Sequence, residues 1–508
     1  MNSNRNQPVV TPVPISPSET VGDASVVVAR AFNSARSAQS IWSRTPLRDR
    51  LERIRVLRAL IAEHALELAE SSAAARRRPN SEALVAEVTP LAEACRFLEQ
   101  NAKALLAPRR HGRRGRPLWL AGITSEIRRE PWGVVLVIGP GNYPLLLPGV
   151  QIVQALVAGN AVVLKPGVGG MPAARCLHRL IELAGIDPRL VGILPEAAEA
   201  ARMAIAARPD KVLFTGSAAV GEKVLFQLAP QLTPATMELS GCDAAIVRAD
   251  ADLDLVVKAL KFSLALNDGA TCMAPKRVFV SAARATELEG RLAEAMRPTT
   301  ITLPLSPALK ASFDDLLSHG AHFIAGGLVG DQSVRLPAVL GGVSPASKFL
   351  HEDVFAPVVA LVTVADDHES VLRTNDCPYA LGVSIFTQDE AVARELAGRV
   401  NAGVVTINDL LLPTADARLP FGGRNRSGFG STRGAEGLLE LTVPKVVTVS
   451  RSKFRFAFEP PHPDDAALFQ SYLTAAHQRG FLTRLKAVGQ VFKNLFRRGK
   501  SKSSQNLL

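Results

Sequence analysis

The sequence predicts an α/β protein with two Rossmann-like α/β lobes, each a parallel sheet with helices on both faces. Short apolar runs alternate with helical stretches at the interval typical of parallel βαβ units. A second pattern of the same kind begins near Gly241 and runs to about Phe429. With 508 residues, the chain is long enough for two or three domains. We therefore expect a functional site between two lobes.

The elements of both lobes follow from apolar runs bounded by turn residues. The first lobe opens with helical sequence from 21 to about 107. It then predicts the strands Val134–Ile138, Ala161–Leu164, Val191–Leu194 and Val212–Phe214, and the helices Pro148–Val157, Pro172–Ala184 and Ala218–Leu228. In or beside the second lobe, strands are predicted at Ala244–Val247, Arg277–Val280, Val358–Val364, Ala380–Phe386 and Val404–Asn408. This order assigns 21–112 and 132–240 to the first lobe and 241–430 to the second.

The two ends of the chain differ from the lobes in composition. Residues 1–20 are rich in Pro, Ser, Asn and Thr, which predicts a disordered lead. Residues 451–508 predict a linker around Pro460–Pro463 and then a basic amphipathic helix beyond Gly480. Such a helix binds an anionic membrane, a partner protein or the protein's own surface, and the sequence leaves these alternatives open.

Composition excludes several classes of protein. The five cysteines are scattered without CxxC or zinc-ligand spacing, which favours reduced thiols in the cytoplasm and predicts no metal site. The net charge of +12 lies in solvated runs without a nucleic-acid motif, so specific nucleic-acid binding is not expected. No secretory signal is visible at the start. Residues 131–164 carry no charge, but Gly, Pro, Asn and Gln interrupt this run, which favours buried strand, turn and helix over a membrane span.

Three residues suggest acyl chemistry through a thioester. Cys272 follows the polar turn Asn267–Thr271, where backbone N–H groups can lower a thiol pKa and bind an oxyanion. Glu238 ends an apolar strand 34 residues earlier, where burial would raise its pKa as a general base requires. Asn142, in the turn Gly139–Pro144, offers an amide to an oxyanion. The alternatives are a buried structural cysteine, a solvent-facing glutamate and a helix-capping asparagine.

A strand-to-helix junction predicts a phosphate site. Phe214–Ser217, followed by Gly221, places Gly216 and Ser217 where a diphosphate would meet a helix N-terminus. Lys165, which ends another strand, can offer its ammonium group to an adenosine ribose. The turn Gly139–Pro144 lacks the third glycine of GxGxxG, so we do not assign it as a dinucleotide fingerprint.

The chain resembles the aldehyde dehydrogenase superfamily over roughly residues 25–450. Eight short stretches occur in the family's order, with 23 residues from Asn142 to Lys165 and 34 from Glu238 to Cys272. They are Glu130–Val135, Gly141–Leu145, Val163–Pro166, Phe214–Ser217, Glu238–Gly241, Gly269–Cys272, Glu352–Pro357 and Pro420–Gly423.

The resemblance implies a role for each matching residue. Cys272 would attack the aldehyde, Asn142 and the Cys272 backbone N–H would hold the oxyanion, and Glu238 would activate the water that hydrolyses the thioester. NAD or NADP would accept the hydride. The residues implied to contact this cofactor are Lys165, Gly216, Ser217, Gly221, Leu239, Asp353 and Phe355. The first lobe would then be the cofactor-binding domain and the second the catalytic domain.

Departures from the family pattern affect cofactor choice. Val168 stands where many NAD-preferring members carry a ribose-binding Glu, which makes NADP plausible. Asp353 is one methylene shorter than the commoner Glu, and Ala270 replaces the usual Gln. The alternative functions are a CoA-acylating aldehyde dehydrogenase and a catalytically silent protein of the same fold that docks on a membrane or partner.

The resemblance also implies assembly and location. Family members pair through a small β excursion from the cofactor lobe and a late strand. The resemblance implies that 113–131 and 438–450 are these oligomerisation segments, so a homodimer or homotetramer is expected. We expect a cytoplasmic protein. Peripheral membrane contact through 480–502 is one interpretation of the C-terminal tail.

Overall fold

A computed structural model describes residues 17–74, 78–117, 120, 122–297, 301–451 and 458–505. The chain divides into two compact units. One contains the described residues up to Pro108 and from Arg128 to Lys445, and the other contains 109–127 and the residues from Val446 onward. Most of the predicted disordered lead, residues 1–16, lies outside the described residues, and a helix begins at Pro17.

The helices and strands are numbered in chain order. The helices are α1 Pro17–Trp42, α2 Leu47–Glu63, α3 Ala65–Ala73, α4 Asn80–Ala83, α5 Thr89–Leu105, α6 Leu146–Ala158, α7 Met171–Leu183, α8 Ala198–Ala206, α9 Ala218–Leu228, α10 Leu253–Ala265, α11 Ala285–Met296, α12 Pro307–Ser318, α13 Asp367–Asn375, α14 Glu390–Arg399, α15 Gly434–Glu440, α16 Asp465–His477 and α17 Phe481–Gln505. The strands are β1 Arg109–His111, β2 Ile123–Pro131, β3 Val134–Ile138, β4 Ala161–Lys165, β5 Val191–Ile193, β6 Lys211–Gly216, β7 Ala235–Leu239, β8 Ala244–Val247, β9 Arg277–Ser281, β10 Ile301–Pro304, β11 His322–Val329, β12 Ser333–Gly341, β13 Val358–Val364, β14 Tyr379–Ala380, β15 Gly382–Phe386, β16 Val404–Ile407, β17 Arg424–Asn425, β18 Gly428–Phe429 and β19 Thr442–Ser450.

The first lobe is built on a six-stranded sheet in the order β18-β7-β6-β3-β4-β5. Its strands are parallel except β18, which pairs antiparallel with β7. Every residue of β3 and β4 is buried, as expected for a parallel sheet covered by helices on both faces. The four strands listed for this lobe are all present, and β7 is the apolar strand predicted to end at Glu238. The sequence analysis missed β18.

The second lobe is built on an eight-stranded sheet in the order β10-β12-β13-β9-β8-β15-β16, with β11 also paired to β12. The predicted strands of this lobe form its parallel centre. The prediction of purely parallel sheets is wrong at the edge, because β10 and β11 run antiparallel to β12. Successive residues of β8 pack into separate apolar clusters, Ile246 in one and Val247 in the other, so both faces of the sheet are covered.

Parallel strands bring the predicted site residues of the first lobe to one edge of its sheet. Lys165 ends β4, Gly216 ends β6 and Glu238 is the penultimate residue of β7. The turn after β3 leads to Asn142 at the same edge. Ligands of open α/β sheets bind at this carboxyl edge of the strands.

The second unit contains a small sheet and a pair of helices. The sheet has the strand order β1-β2-β19, with β1 and β2 antiparallel, and it forms the predicted β excursion. Helices α16 and α17 are in contact with each other. Among the described residues, none of the helices is both long enough and apolar enough to cross a bilayer.

A buried ion pair holds the start of α6. The Glu87 carboxylate accepts hydrogen bonds from the backbone N–H groups of Leu145 (2.8 Å) and Leu146 (3.1 Å). It also pairs with the guanidinium of Arg78, which lies 5.5 Å from the ring centroid of Tyr143. Both charged side chains are almost fully buried. Glu87 therefore caps α6 and fixes the segment that carries Asn142 and Tyr143.

We predict that Glu87→Leu lowers the free energy of unfolding by about 3–5 kcal/mol, because it leaves the buried Arg78 with only the longer contact to Glu82 (3.8 Å) as a counter-charge. Urea unfolding monitored by circular dichroism measures this change. The control is Glu395→Gln, which removes an exposed partner of Arg399 and should change stability by less than about 0.5 kcal/mol. Equal stability of the two variants would contradict the assigned role of Glu87.

Candidate active site

Cys272 lies in the connection between α10 and β9, just after a tightly packed turn. Asn267, Asp268 and Gly269 all have positive φ angles, of 53°, 52° and 68°. A Cβ atom on Gly269 would lie 2.5 Å from the Cα atom of Pro357, so only glycine fits there. The buried Asn267 side chain donates a hydrogen bond to the backbone oxygen of Asn142 (2.9 Å). The backbone before Cys272 is therefore fixed against both lobes.

Glu238 is buried near the end of β7. Its side chain is 3% exposed. The Thr215 hydroxyl donates to Oε2 at 3.5 Å, while Oε1 has no hydrogen-bond partner in the described part of the chain. Burial raises the pKa of Glu238, and the positive charge of Arg433 lowers it in part. This is the environment expected for a general base, and the alternative of a solvent-facing glutamate is wrong.

Asn142 is buried beside the Cys272 turn. Its Nδ2 group donates a hydrogen bond to the backbone oxygen of Ala270 (3.0 Å). The alternative role as a helix cap is wrong, because α6 begins at Leu146 and Glu87 accepts its first N–H groups. One amide N–H of Asn142 is thus committed to Ala270, and the second remains for another acceptor.

The thiol of Cys272 is less acidic than the sequence predicted. Burial raises its pKa, and the negative charges of Glu238 and Asp243 raise it further. Arg433 and the backbone N–H of Met273 lower the pKa, as the sequence analysis expected of N–H groups, but burial outweighs them. Cys272 is therefore a thiol at rest and needs a base when it forms a bond.

A cavity of about 910 Å³ opens on one side of Cys272, over the carboxyl edge of the first sheet. Both Cys272 and Glu238 line it. Five of the residues predicted to bind a cofactor also line it, namely Gly216, Ser217, Leu239, Asp353 and Phe355. Ser217 directly precedes α9, and its side chain makes no capping hydrogen bond. The first N–H groups of α9 and this free hydroxyl fit the diphosphate of a dinucleotide.

Two predicted cofactor residues, Lys165 and Gly221, do not line this cavity in the structure. Lys165 is 9% exposed, and burial lowers the pKa of its ammonium group while Glu196 raises it. A Cβ atom on Gly221 would lie 2.7 Å from Cδ2 of Leu239, so this glycine lets α9 pack closely behind the cavity wall. Val168 does line the cavity and is 79% exposed.

A second cavity, of about 490 Å³, also has Cys272 in its wall. Cys272 and Leu147 line both cavities. The walls of the second cavity are mostly apolar and include Val85, Pro90, Leu146, Phe262, Leu266, Met273, Leu411, Leu412 and Phe421. The polar groups on its wall include Ser81, Glu82, Tyr143, Thr271, Thr414 and Arg433. Cys272 thus lies where the two cavities meet.

The sequence analysis missed Arg433. Its guanidinium donates a hydrogen bond to the backbone oxygen of Thr414 and lies 4.7 Å from the ring centroid of Phe421. It lines the apolar cavity, and its charge lowers the pKa of both Cys272 and Glu238. Arg433 lies 161 residues after Cys272, so no local pattern points to this contact.

Tyr143 was also missed, although it stands next to Asn142. Its hydroxyl is 2.6 Å from the hydroxyl oxygen of Thr271. This hydrogen bond joins the turn after β3 to the residue before Cys272. The position of Tyr143 in the Gly139–Pro144 turn was a signal that could have identified it.

Among the described residues, no group of three or more His, Cys, Asp or Glu side chains could hold a metal ion.

Comparisons with known proteins match the chain to a family model and to individual proteins. The model of the "Aldehyde dehydrogenase family" matches residues 1–447. A "4,4'-diapolycopene aldehyde oxidase" from Methylomonas sp is 30% identical over 439 residues, which cover 84% of this chain and 82% of that protein. Among solved structures, an aldehyde dehydrogenase from Bacillus cereus in complex with NAD+ is 27% identical, with a TM-score of 0.76, covering 84% of this chain and 89% of its own. An NADP-dependent glyceraldehyde-3-phosphate dehydrogenase from Bacillus halodurans C-125, complexed with NADP, is also 27% identical, with a TM-score of 0.76 and coverage of 84% and 92%.

We predict that two charge-removing substitutions shift the pKa of Cys272 in opposite directions. Glu238→Gln removes a charge that raises this pKa, so alkylation by iodoacetamide at pH 8 should be faster, by roughly fivefold for a coupling of about 1 kcal/mol. Arg433→Met removes a charge that lowers it and should slow the reaction by a similar factor. The rate is measured by mass spectrometry of the Cys272 peptide. Glu199→Gln, far from the site on α8, is the control, and a shift of the same sign in both site variants would contradict the electrostatic account.

Proposed function

Because the chain belongs to the aldehyde dehydrogenase family, whose reaction is the oxidation of an aldehyde with NAD or NADP, we propose that Cys272, Glu238 and Asn142 carry out this reaction here. One observation carries the proposal. Cys272 lines both the 910 Å³ cavity, which fits a dinucleotide, and the apolar 490 Å³ cavity, which fits an aldehyde. A nucleophile at this junction reaches both reactants at once.

In the first step Cys272 forms a bond to the aldehyde carbon. Burial keeps the thiol protonated at rest, so its proton leaves as the carbon–sulfur bond forms and passes to solvent through the 910 Å³ cavity, which leaves Glu238 unprotonated for the second step. The oxyanion of the thiohemiacetal lies between the second amide N–H of Asn142 and the backbone N–H of Cys272. NAD(P)+, when bound, supplies the hydride acceptor, and the substrate remains as a thioester on Cys272.

In the second step Glu238 takes a proton from water. The hydroxide attacks the thioester carbonyl, and Cys272 leaves as the carboxylic acid is released. The raised pKa of Glu238 supports this role, because a base of higher pKa accepts a proton from water more readily. Its unpartnered Oε1 atom is available to hold the water.

Two alternatives are weaker. A CoA-acylating enzyme would not need a buried base next to the nucleophile, and Glu238 lines the same cavity as Cys272. A catalytically silent protein would not need Cys272, Glu238 and Asn142 around one cavity.

We propose that the substrate is an aldehyde with an apolar chain. The apolar walls of the 490 Å³ cavity support this, since burying apolar surface stabilises binding by about 25 cal/mol per Å². A small anionic aldehyde is the second candidate, because Arg433 could bind its anion. The negative charge of Glu82, which lines the same cavity, would repel such an anion and argues against this candidate.

We also propose how the protein is assembled and where it works. The exposed small sheet of the second unit, which includes β2 and β19, supports a homodimer or homotetramer through 113–131 and 438–450. The five cysteines, all within the described part of the chain, are unpaired, which supports a reducing, cytoplasmic location.

We predict NAD(P)H formation from an apolar aldehyde such as octanal in the absence of CoA. Absorbance at 340 nm measures it, with succinate semialdehyde as the anionic comparison. Cys272→Ala should reduce the rate by at least about 10³-fold, whereas Cys95→Ala, a buried cysteine outside both cavities, should retain most of it. A signal that requires CoA would support the acylating alternative. No turnover, together with no cofactor binding, would support the silent protein.

We predict that Val168→Glu changes the cofactor preference. The new carboxylate would accept hydrogen bonds from ribose hydroxyl groups and repel a 2′-phosphate, so the Kd for NADP+ should rise by roughly tenfold relative to that for NAD+. Isothermal titration calorimetry measures both constants. Val168→Gln adds a similar volume without charge and is the matched control. An equal change for both cofactors in Val168→Glu would contradict the placement of Val168 at the ribose.

A further inference from the structure

The C-terminal helices lie beyond the part of the chain that resembles the family. The family model ends at residue 447, whereas α16 and α17 span Asp465–His477 and Phe481–Gln505. The reaction described above uses no residue of these helices. The proposed reaction therefore does not explain the function of α16 and α17.

One face of α17 is already occupied by α16. Ala487 and Asn494 are 6% and 8% exposed, and Val491 between them is partly buried. The Asn494 amide donates a hydrogen bond to the hydroxyl of Ser471 (3.0 Å), and the Arg484 guanidinium donates to the backbone oxygen of Ala475 (2.9 Å). Residues 487, 491 and 494 lie on the same side of a helix. Through this face, the helix packs onto the protein itself, which is one of the alternatives that the sequence left open.

A different face of α17 is apolar and exposed. We call it the apolar stripe, and its residues are Phe481, Leu485, Val488, Phe492, Leu495 and Phe496. Each is 40% exposed or more, and Phe481 and Phe496 reach 79% and 72%. At 100° per residue these positions fall within about 100° of one another, on the side away from Ala487 and Asn494. Single exposed apolar residues are ordinary on a protein surface, but a continuous stripe of this kind marks an interaction site.

The charge of the segment shows what kind of surface would cover the stripe. Residues 480–508 contain seven Lys and Arg residues and no Asp or Glu. Lys486, Lys493 and Arg497 fall on the flank of the stripe opposite to the α16 contact. Two copies of this segment would repel each other, whereas an anionic surface attracts it. An apolar stripe flanked by basic side chains is the pattern of helices that lie in the interface of a bilayer.

We propose that α17 binds the surface of a bilayer that contains anionic phospholipid. The apolar stripe inserts at the level of the acyl boundary, while Lys486, Lys493 and Arg497 contact lipid phosphate groups. The helix lies parallel to the bilayer plane, in keeping with the lack of a spanning helix among the described residues. This inference does not depend on the proposed reaction, because its readout is binding rather than turnover.

The experiment is co-flotation of the full-length protein with liposomes. In 0.1 M salt, the protein should float with vesicles of phosphatidylcholine and phosphatidylglycerol and remain behind with phosphatidylcholine alone. A triple variant of the stripe, Phe481→Ser, Phe492→Ser and Phe496→Ser, should bind at least roughly tenfold more weakly. The variant Lys486→Gln, Lys493→Gln and Arg497→Gln should lose a similar factor, and 1 M salt should weaken binding of the wild type.

The matched control removes equally exposed apolar residues elsewhere, with Ile41→Ser, Leu66→Ser and Leu372→Ser, and should bind as the wild type does. Circular dichroism checks that all variants are folded. Binding of the stripe variant at the wild-type level, or no flotation of the wild type with anionic vesicles, would overturn the proposal. The proposal would also be overturned if the wild type bound no lipid and formed a dimer that the stripe variant did not form in light scattering. A second copy of the chain would then cover the stripe.

Discussion

The site depends on the burial of the reactive groups of Cys272 and Glu238. Burial is the largest cause of the raised pKa of both groups. A buried thiol is a poor nucleophile until a base takes its proton, and a buried carboxylate is a stronger base than an exposed one. The same desolvation therefore couples the two residues. It also makes each unpaired charge near them more influential than it would be in water.

The fold supplies this environment by bringing distant segments to one edge. Glu238 comes from the first sheet, and the Cys272 turn is fixed by Gly269 against Pro357 and by Asn267 against Asn142. Further out, the Arg78–Glu87 pair fixes the start of α6. The two cavities share Cys272 and Leu147 in their walls, where these segments converge. Small movements of any one of them would separate the nucleophile Cys272 from the general base Glu238, which acts on the hydrolytic water.

Much of this could be predicted from local sequence, and the exceptions have physical reasons. The run Val134–Ile138 was placed correctly because Gly133 and Gly139 bound an uninterrupted apolar stretch. Strands β11 and β12 were missed because Gly326–Gly327 and Pro337 are unfavourable in strands; here the glycines accompany a register shift. Cys272, Glu238 and Asn142 belong to short motifs of their own. Arg433 was not predictable, because only the return of the chain after residue 420 brings its charge to the site.

The most direct test of the account is to trap the covalent intermediate. Glu238→Gln, incubated with an aldehyde and NAD(P)+ and then denatured with acid, should carry one acyl group on the Cys272 peptide in mass spectrometry. The wild type should carry little, because Glu238 speeds hydrolysis. The division of roles between Cys272 and Glu238 would be contradicted by one result. In that result, Glu238→Gln forms NAD(P)H at the wild-type steady rate while its Cys272 peptide is unmodified.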